Sequence, residues 1–256
     1  MKKSLIFFDI DGTMCPYAGE PSPETYEAFR LLHERGHVMF LCTGRGRIDI
    51  PDSIMSIGFE GVISSMGADI EIGNKHIQHR YIPDDMLRET VSSLIENTIA
   101  AQFVGYRDML RTENMTSVPE DILVLRSAAD LDRLPRFPHI SSIDVEYRDA
   151  GELDRCMPAL KKHSVVVEYT PNSGQTELLD VNKAVAVRRI LDMPEYQGFA
   201  TYAVGDGQND IGMLKAVDVG IAMGGSPPEV RNASDYVTGT MEDGGLHNAL
   251  LHFQLI

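Results

Sequence analysis

Asp9 and Asp11 stand two residues apart at the end of the apolar run Leu5-Ile6-Phe7-Phe8, and Gly12-Thr13 follows at once. In an extended chain residues i and i+2 point the same way, so both carboxylates can address one site. Two acids held together are costly unless a cation or a reaction needs them. Two more polar clusters follow apolar runs of the same kind. Thr43-Gly44-Arg45 succeeds Val38-Met39-Phe40-Leu41-Cys42, and Gly205-Asp206-Gly207-Gln208-Asn209-Asp210 succeeds Thr201-Tyr202-Ala203-Val204. Alone, the first cluster reads equally well as a turn, and the other two are more often a turn or a loop. On parallel strands, all three would gather at the carboxyl edge of one sheet, where α/β proteins bind their ligands.

The chemistry this collection suggests is phosphoryl transfer through an aspartyl-phosphate, for which carboxylates are known nucleophiles. Asp9, first at the strand end, is the better nucleophile. Asp11 could protonate the leaving oxygen and then activate the water that cleaves the intermediate. Asp206 can complete an oxygen-rich site for Mg²⁺, a hard cation that bridges to phosphate. Thr43, the Gly44 backbone and Asn209 supply donors to the migrating group, and Lys183 is a point charge to balance the acids. Arg45 could touch phosphate or pair with a neighbouring acid.

The elements that must position these groups follow from spacing. Unbroken apolar runs suit strands buried on both faces. Ser22-Pro23-Glu24 starts a helix that Gly36 ends, with Ala28, Phe29 and Leu32 on one face. The strand–helix–strand order builds a parallel sheet. A third short strand is expected at 62–64, and Gly73-Asn74 marks a hairpin between Ile70-Ile72 and Ile77. After Pro83 the pattern changes. A helix is expected near 84–100 and another near 152–162, with strands near 102–106, 109–112, 140–147, 165–169 and 175–180. Alternation in Ile143-Asp144-Val145-Glu146-Tyr147 suits an antiparallel sheet with one wet face. From Lys183 the α/β pattern resumes, through strands at Thr201–Val204 and Val219–Met223 to a final helix near Phe253. The expected architecture is an α/β, Rossmann-like, doubly wound parallel sheet built from residues 1–81 and 181–256. An α+β cap domain, residues 82–180, is inserted between the two segments.

With 256 residues, a formal charge of -15 and 43% hydrophobic residues, the chain is expected to be a globular protein that does not bind nucleic acid. Asp9 ends the first apolar run too early for a signal peptide or membrane span. Three cysteines give no disulfide framework, which suits a reducing cytoplasm.

The motifs resemble those of the haloacid dehalogenase-like (HAD) hydrolase superfamily, and within it the Cof-like phosphatases. The matching pieces are Asp9-Ile10-Asp11-Gly12-Thr13, Thr43-Gly44-Arg45, Lys183 and Gly205 to Asp210, with Ala222-Met223-Gly224 and Glu242-Asp243-Gly244 in the tail. The resemblance implies an inserted cap and hydrolysis of small phosphate monoesters, sugar phosphates first. It implies Asp9 as nucleophile and metal ligand, Asp11 as acid/base offering its carbonyl to the metal, and Asp206 as ligand. Thr43 and Lys183 would hold phosphate, and Asp210 would support the metal or the lysine. Two positions depart from the pattern: Ala184 follows the lysine where the family often has Gly, and Met66 precedes Gly67-Ala68 where it often has Asn. A phosphomutase, or a sugar-phosphate-binding regulator without catalysis, are the alternatives.

Overall fold

The structure is a computed structural model and describes residues 3–17, 19–115 and 122–256. In chain order its strands are β1 (Ser4–Phe8), β2 (Val38–Cys42), β3 (Gly61–Ser64), β4 (Asp69–Ile72), β5 (Lys75–His79), β6 (Ala100–Gly105), β7 (Met109–Thr112), β8 (Leu123–Leu125), β9 (Ile140–Glu146), β10 (Ser164–Thr170), β11 (Ser173–Leu178), β12 (Ala200–Gly205), β13 (Val219–Ala222) and β14 (Tyr236–Val237). The α-helices are α1 (Pro23–Glu34), α2 (Asp52–Met55), α3 (Asp84–Glu96), α4 (Ala150–Leu160), α5 (Lys183–Leu191), α6 (Ile211–Leu214), α7 (Pro228–Ala233) and α8 (Gly245–His252). They fall into two compact units. One comprises residues 1–45, 50–78 and 182–256, and the other residues 46–49 and 79–181.

The first unit carries a sheet in the order β14-β13-β12-β1-β2-β3-β4-β5, parallel from β14 to β3 and turned antiparallel at β4. Alternation along the buried strands feeds two cores. Ile6, Phe8, Met39 and Leu41 pack with Ala28, Phe29 and Leu32 of α1 and with Leu246, Ala249 and Leu250 of α8. Leu5, Phe7, Phe40 and Cys42 pack with Ala186, Val187 and Ile190 of α5 and with Met213 and Leu214 of α6. Helices therefore cover both faces, which makes this a doubly wound α/β sheet. The chain leaves β1 toward β2 and β3, then returns to β12 on the opposite side of β1. The end of β1 thus sits at the switch point, where such sheets bind ligands.

The second unit carries a sheet in the order β10-β11-β9-β6-β7-β8. Most of its pairings are antiparallel; β7 and β8 run parallel. Two details differ from the sequence expectation. The helix expected to reach residue 100 ends at Glu96, because Asn97 caps it and Thr98 turns to φ 57°, so the next strand begins at Ala100. The short helices α2 and α7, and strand β8, carry too few residues to show a period and were not anticipated. Among the described residues no helix is long and apolar enough to cross a membrane. Cys15, Cys42 and Cys156 are buried free thiols.

Candidate active site

Strand register brings the three polar clusters together. Phe8 of β1 stands beside Val204 of β12 on one side and Leu41 of β2 on the other. The Asp9 amide continues the ladder by donating to the Val204 carbonyl (3.0 Å), and Thr43 N–H donates to the Ile63 carbonyl (2.9 Å). The residues just beyond each strand therefore emerge at one edge.

At that edge lies a buried ammonium between two buried carboxylates. Lys183 Nζ donates to Asp9 Oδ1 (2.6 Å) and to Asp210 Oδ1 (2.7 Å), and Lys183 is only 1% exposed. Its position is fixed by a helix start. Asn182 Oδ1 accepts from Val185 N–H (2.9 Å), capping α5 so that Lys183 is its first residue. Asp210 also organises its own loop, where Oδ2 accepts from the amides of Asp206 (3.0 Å) and Gly207 (2.9 Å). Two glycines make room. A Cβ on Gly205 would lie 2.6 Å from Asp210 Cγ, and one on Gly12, at φ +75°, would lie 2.2 Å from Asp206 Oδ2. Thr13 Oγ1 donates to Asp206 Oδ1 (3.3 Å), a contact the sequence reading did not assign. Its signal was present in the threonine after the glycine, although no spacing rule connects residue 13 to residue 206.

Charge in this cluster does not balance. Burial, then the Asp210 carboxylate, push Asp9 well above the ordinary carboxylate range, against the pull of Lys183. Burial and Asp210 likewise raise Asp206 to about 6. Burial would lower the Lys183 ammonium, but Asp210 and Asp9 outweigh it and hold it well above its usual value. Three acids thus share one ammonium. Asp9, Asp206 and Asp210 each offer an oxygen within 4.8 Å of the others. An oxygen-only donor set with surplus negative charge fits a hard divalent cation such as Mg²⁺.

The other expected residues sit around this cluster. Both Asp11 oxygens are held by Arg45, whose Nε and Nη2 donate at 2.8 and 2.6 Å. Thr43, 1% exposed, accepts the Arg45 amide on its hydroxyl (3.1 Å), which shapes the Thr43-Gly44-Arg45 turn. Asn209 Nδ2 meets the Met66 sulfur at 3.4 Å, and Met66 sits at φ 57°. That departure from the family pattern therefore lies beside a candidate phosphate donor. Ala184, the other departure, lies where a Cβ on Gly212 would come within 2.7 Å, so two small residues let α5 and α6 approach. A separate cavity of about 560 Å³ is lined by Thr13, Met14, Glu20, Glu242 and His247 among others; none of the acids described above lines it.

Fold and site together define an α/β enzyme of the kind that works on phosphate at a strand-end cluster of acids. A profile of haloacid dehalogenase-like hydrolases matches residues 6–250, and the chain belongs to that family. It is an enzyme, a phosphatase. The phosphatase YwpJ of Bacillus subtilis is 25% identical, covering 97% of this chain and 99% of its own. The 5-amino-6-(5-phospho-D-ribitylamino)uracil phosphatase YcsE of the same organism is 24% identical, over 98% and 96%. The HMP-PP phosphatase of Serratia proteamaculans is 27% identical, over 89% and 86%. The solved structure of a HAD subclass IIB sugar phosphatase shares the fold, with a TM-score of 0.82 at 22% identity, covering 99% of this chain and all of that one.

Proposed function

We propose that the protein is a Mg²⁺-dependent phosphatase that hydrolyses small phosphate monoesters, sugar phosphates foremost, through an aspartyl-phosphate on Asp9. The observation that carries this reading is the Lys183 ammonium buried between Asp9 and Asp210 at the strand edge. An ion pair so deeply buried costs desolvation that a structural role would not require. Asp9, Asp206 and Asp210 would hold the metal, with the Asp11 carbonyl, and the ion would neutralise charge on the phosphate. Lys183 keeps the Asp9 oxygen it binds in place, and Thr43, the Gly44 amide and Asn209 surround the phosphate. Uncatalysed hydrolysis of such esters is slow enough that the site must supply on the order of 20 kcal/mol.

Arg45 and Asp11 act in sequence. A guanidinium fork accommodates phosphate as readily as carboxylate. Arriving phosphate draws Arg45 from Asp11, and Asp11, no longer paired with a cation, is then free to take up a proton from solvent, give it to the leaving oxygen, and later take one from the attacking water. Residues 82–180 act as a cap domain that contributes to the choice of leaving group. The reducing cytoplasm is the setting this reading assigns. The sugar phosphatase among the solved structures supports the substrate class, and the phosphatases among the relatives support the reaction.

The test is a panel of phosphate esters with and without Mg²⁺, in the absence of any bisphosphate. Phosphate release that chelation abolishes is the expected result. Isomerisation that needs a bisphosphate activator, with negligible phosphate release, would turn the assignment to a phosphomutase.

A further inference from the structure

One turn of the first unit holds its backbone where side chains rarely go. After β3 the chain passes through Ser65 (φ 48°), Met66 (φ 57°) and Gly67 (φ 100°) in succession. Left-handed backbone is open to glycine but strained for a residue that carries a Cβ, and such strain gathers at functional sites. The amides of this turn close on the Thr43-Gly44-Arg45 loop. Ser65 N–H donates to the Arg45 carbonyl (2.8 Å) and Met66 N–H to the Thr43 carbonyl (3.2 Å). On its other side the turn lies against the start of α5, the helix that begins with Lys183. A Cβ on Gly67 would stand 2.7 Å from the Asn182 carbonyl oxygen.

The strained turn brings a sulfur to the loop that carries Asp206 and Asp210. Met66 is 1% exposed, and its Sδ accepts from Asn209 Nδ2 at 3.4 Å. A thioether only accepts, so it selects the nitrogen end of the Asn209 amide. The oxygen end lies over Gly207, where an added Cβ would stand 2.5 Å from Asn209 Oδ1. The amide nitrogen carries two N–H groups and Met66 takes one of them. Asn209 itself is only partly buried. Asparagine would suit the left-handed backbone at position 66 better than methionine does. It would, however, offer both a donor and an acceptor, so that either end of the Asn209 amide could face it. Position 66 thus combines an unfavourable backbone with a side chain that can only accept.

We propose that Met66 is a positioning residue for phosphate recognition: its sulfur holds one Asn209 N–H and so keeps the other presented to the phosphate group of the substrate. The inference rests on the reading of Asn209 as a phosphate donor in a phosphatase. A buried thioether then sets how tightly the site holds phosphate, acting through the amide it orients. Leucine at this position fills a similar volume, bears the same backbone strain and accepts no hydrogen bond, so it removes the sulfur's role alone.

The experiment measures KM for p-nitrophenyl phosphate and the inhibition constant of inorganic phosphate, both with Mg²⁺. Met66→Leu should raise both constants about three- to tenfold and leave kcat within about twofold, as expected when one hydrogen bond to the ligand is misaligned. Asn209→Ala should raise them at least as far. The double variant should be no worse than Asn209→Ala alone, because the sulfur acts only through that amide. Met66→Asn should melt at a higher temperature than the wild type and still bind phosphate less tightly. Neither constant depends on the fraction of variant that folds. Constants unchanged in Met66→Leu or in Asn209→Ala, losses that add in the double variant, or stability and affinity falling together in Met66→Asn overturn the inference, while hydrolysis by the wild type leaves the phosphatase reading standing. A wild type inert toward every ester of the panel overturns that reading instead. Calorimetric titration with inorganic phosphate then decides the inference, since weaker binding by Met66→Leu needs no turnover, and binding that is unchanged or absent overturns it.

Discussion

Each unit carries an acid that desolvation shifts upward, and the two are treated in opposite ways. In the first, Asp9 and Asp210 share a lysine that is itself sealed from water, and the donor set leaves room for a metal charge. In the second, Asp144 accepts from the amide of Gln175, its side-chain partner among the described residues, and is pushed up to about 7, where a carboxyl carries its charge only part of the time near neutral pH. A carboxylate that must attack phosphorus has to be ionised, so it needs fixed positive charge.

Removing the fixed charge should have the largest effect. Lys183→Met leaves Asp9 and Asp210 buried against each other. Denaturant unfolding should register a loss of about 3–5 kcal/mol, the usual cost of breaking a buried pair, and phosphate release should vanish. A stability loss below about 1 kcal/mol would mean the lysine does little to hold the acids together. Gly12→Ala comes next. It forces a side chain into a left-handed turn at φ +75° and against Asp206 Oδ2 at 2.2 Å. The expected cost is about 1–3 kcal/mol, with a fall in activity because Asp206 must move.

The second unit should answer to pH. Folding raises Asp144 above its ordinary 3.8, so the folded protein holds a proton there that the unfolded chain releases. The resulting stability is complete below pH 3.8 and is lost as pH climbs toward 7. Asp144→Asn should remove that decline and be about 1–2 kcal/mol more stable than the wild type at pH 8, read by thermal melts across pH. His163 works with the opposite sign. Its burial lowers it from 6.5 to about 4, so its contribution is present above pH 6.5 and fades as pH falls toward 4. His163→Gln should flatten that acid limb, the smallest of these effects, at about 1 kcal/mol.

Much of the first unit was legible because its strands are continuous apolar runs that end in acids. Asp9, Thr43 and Asp206 follow such runs, and parallel register does the rest. What the sequence hid was pairing. Nothing in the spacing says that Arg45 closes on Asp11, or that Thr13 reaches Asp206, since both contacts depend on side-chain reach across loops. Asp210 reads from the sequence as a support for the metal or the lysine; one of its oxygens meets Lys183, and the two loop amides on the other are a contact that the spacing does not show. In the second unit the alternation around Asp144 gave the strand and its two faces. The alignment of Gln102, Asp144 and Gln175 across β6, β9 and β11 needed the register of three strands, which local pattern does not determine.

The central claim is that Asp9 carries the phosphoryl group. Asp11→Asn should slow hydrolysis of the intermediate. Acid quenching of this variant during turnover of p-nitrophenyl phosphate, followed by mass mapping of its peptides, should find one phosphoryl group on Asp9. A phosphoryl group on another residue, or phosphate release undiminished in Asp9→Asn, would contradict the mechanism.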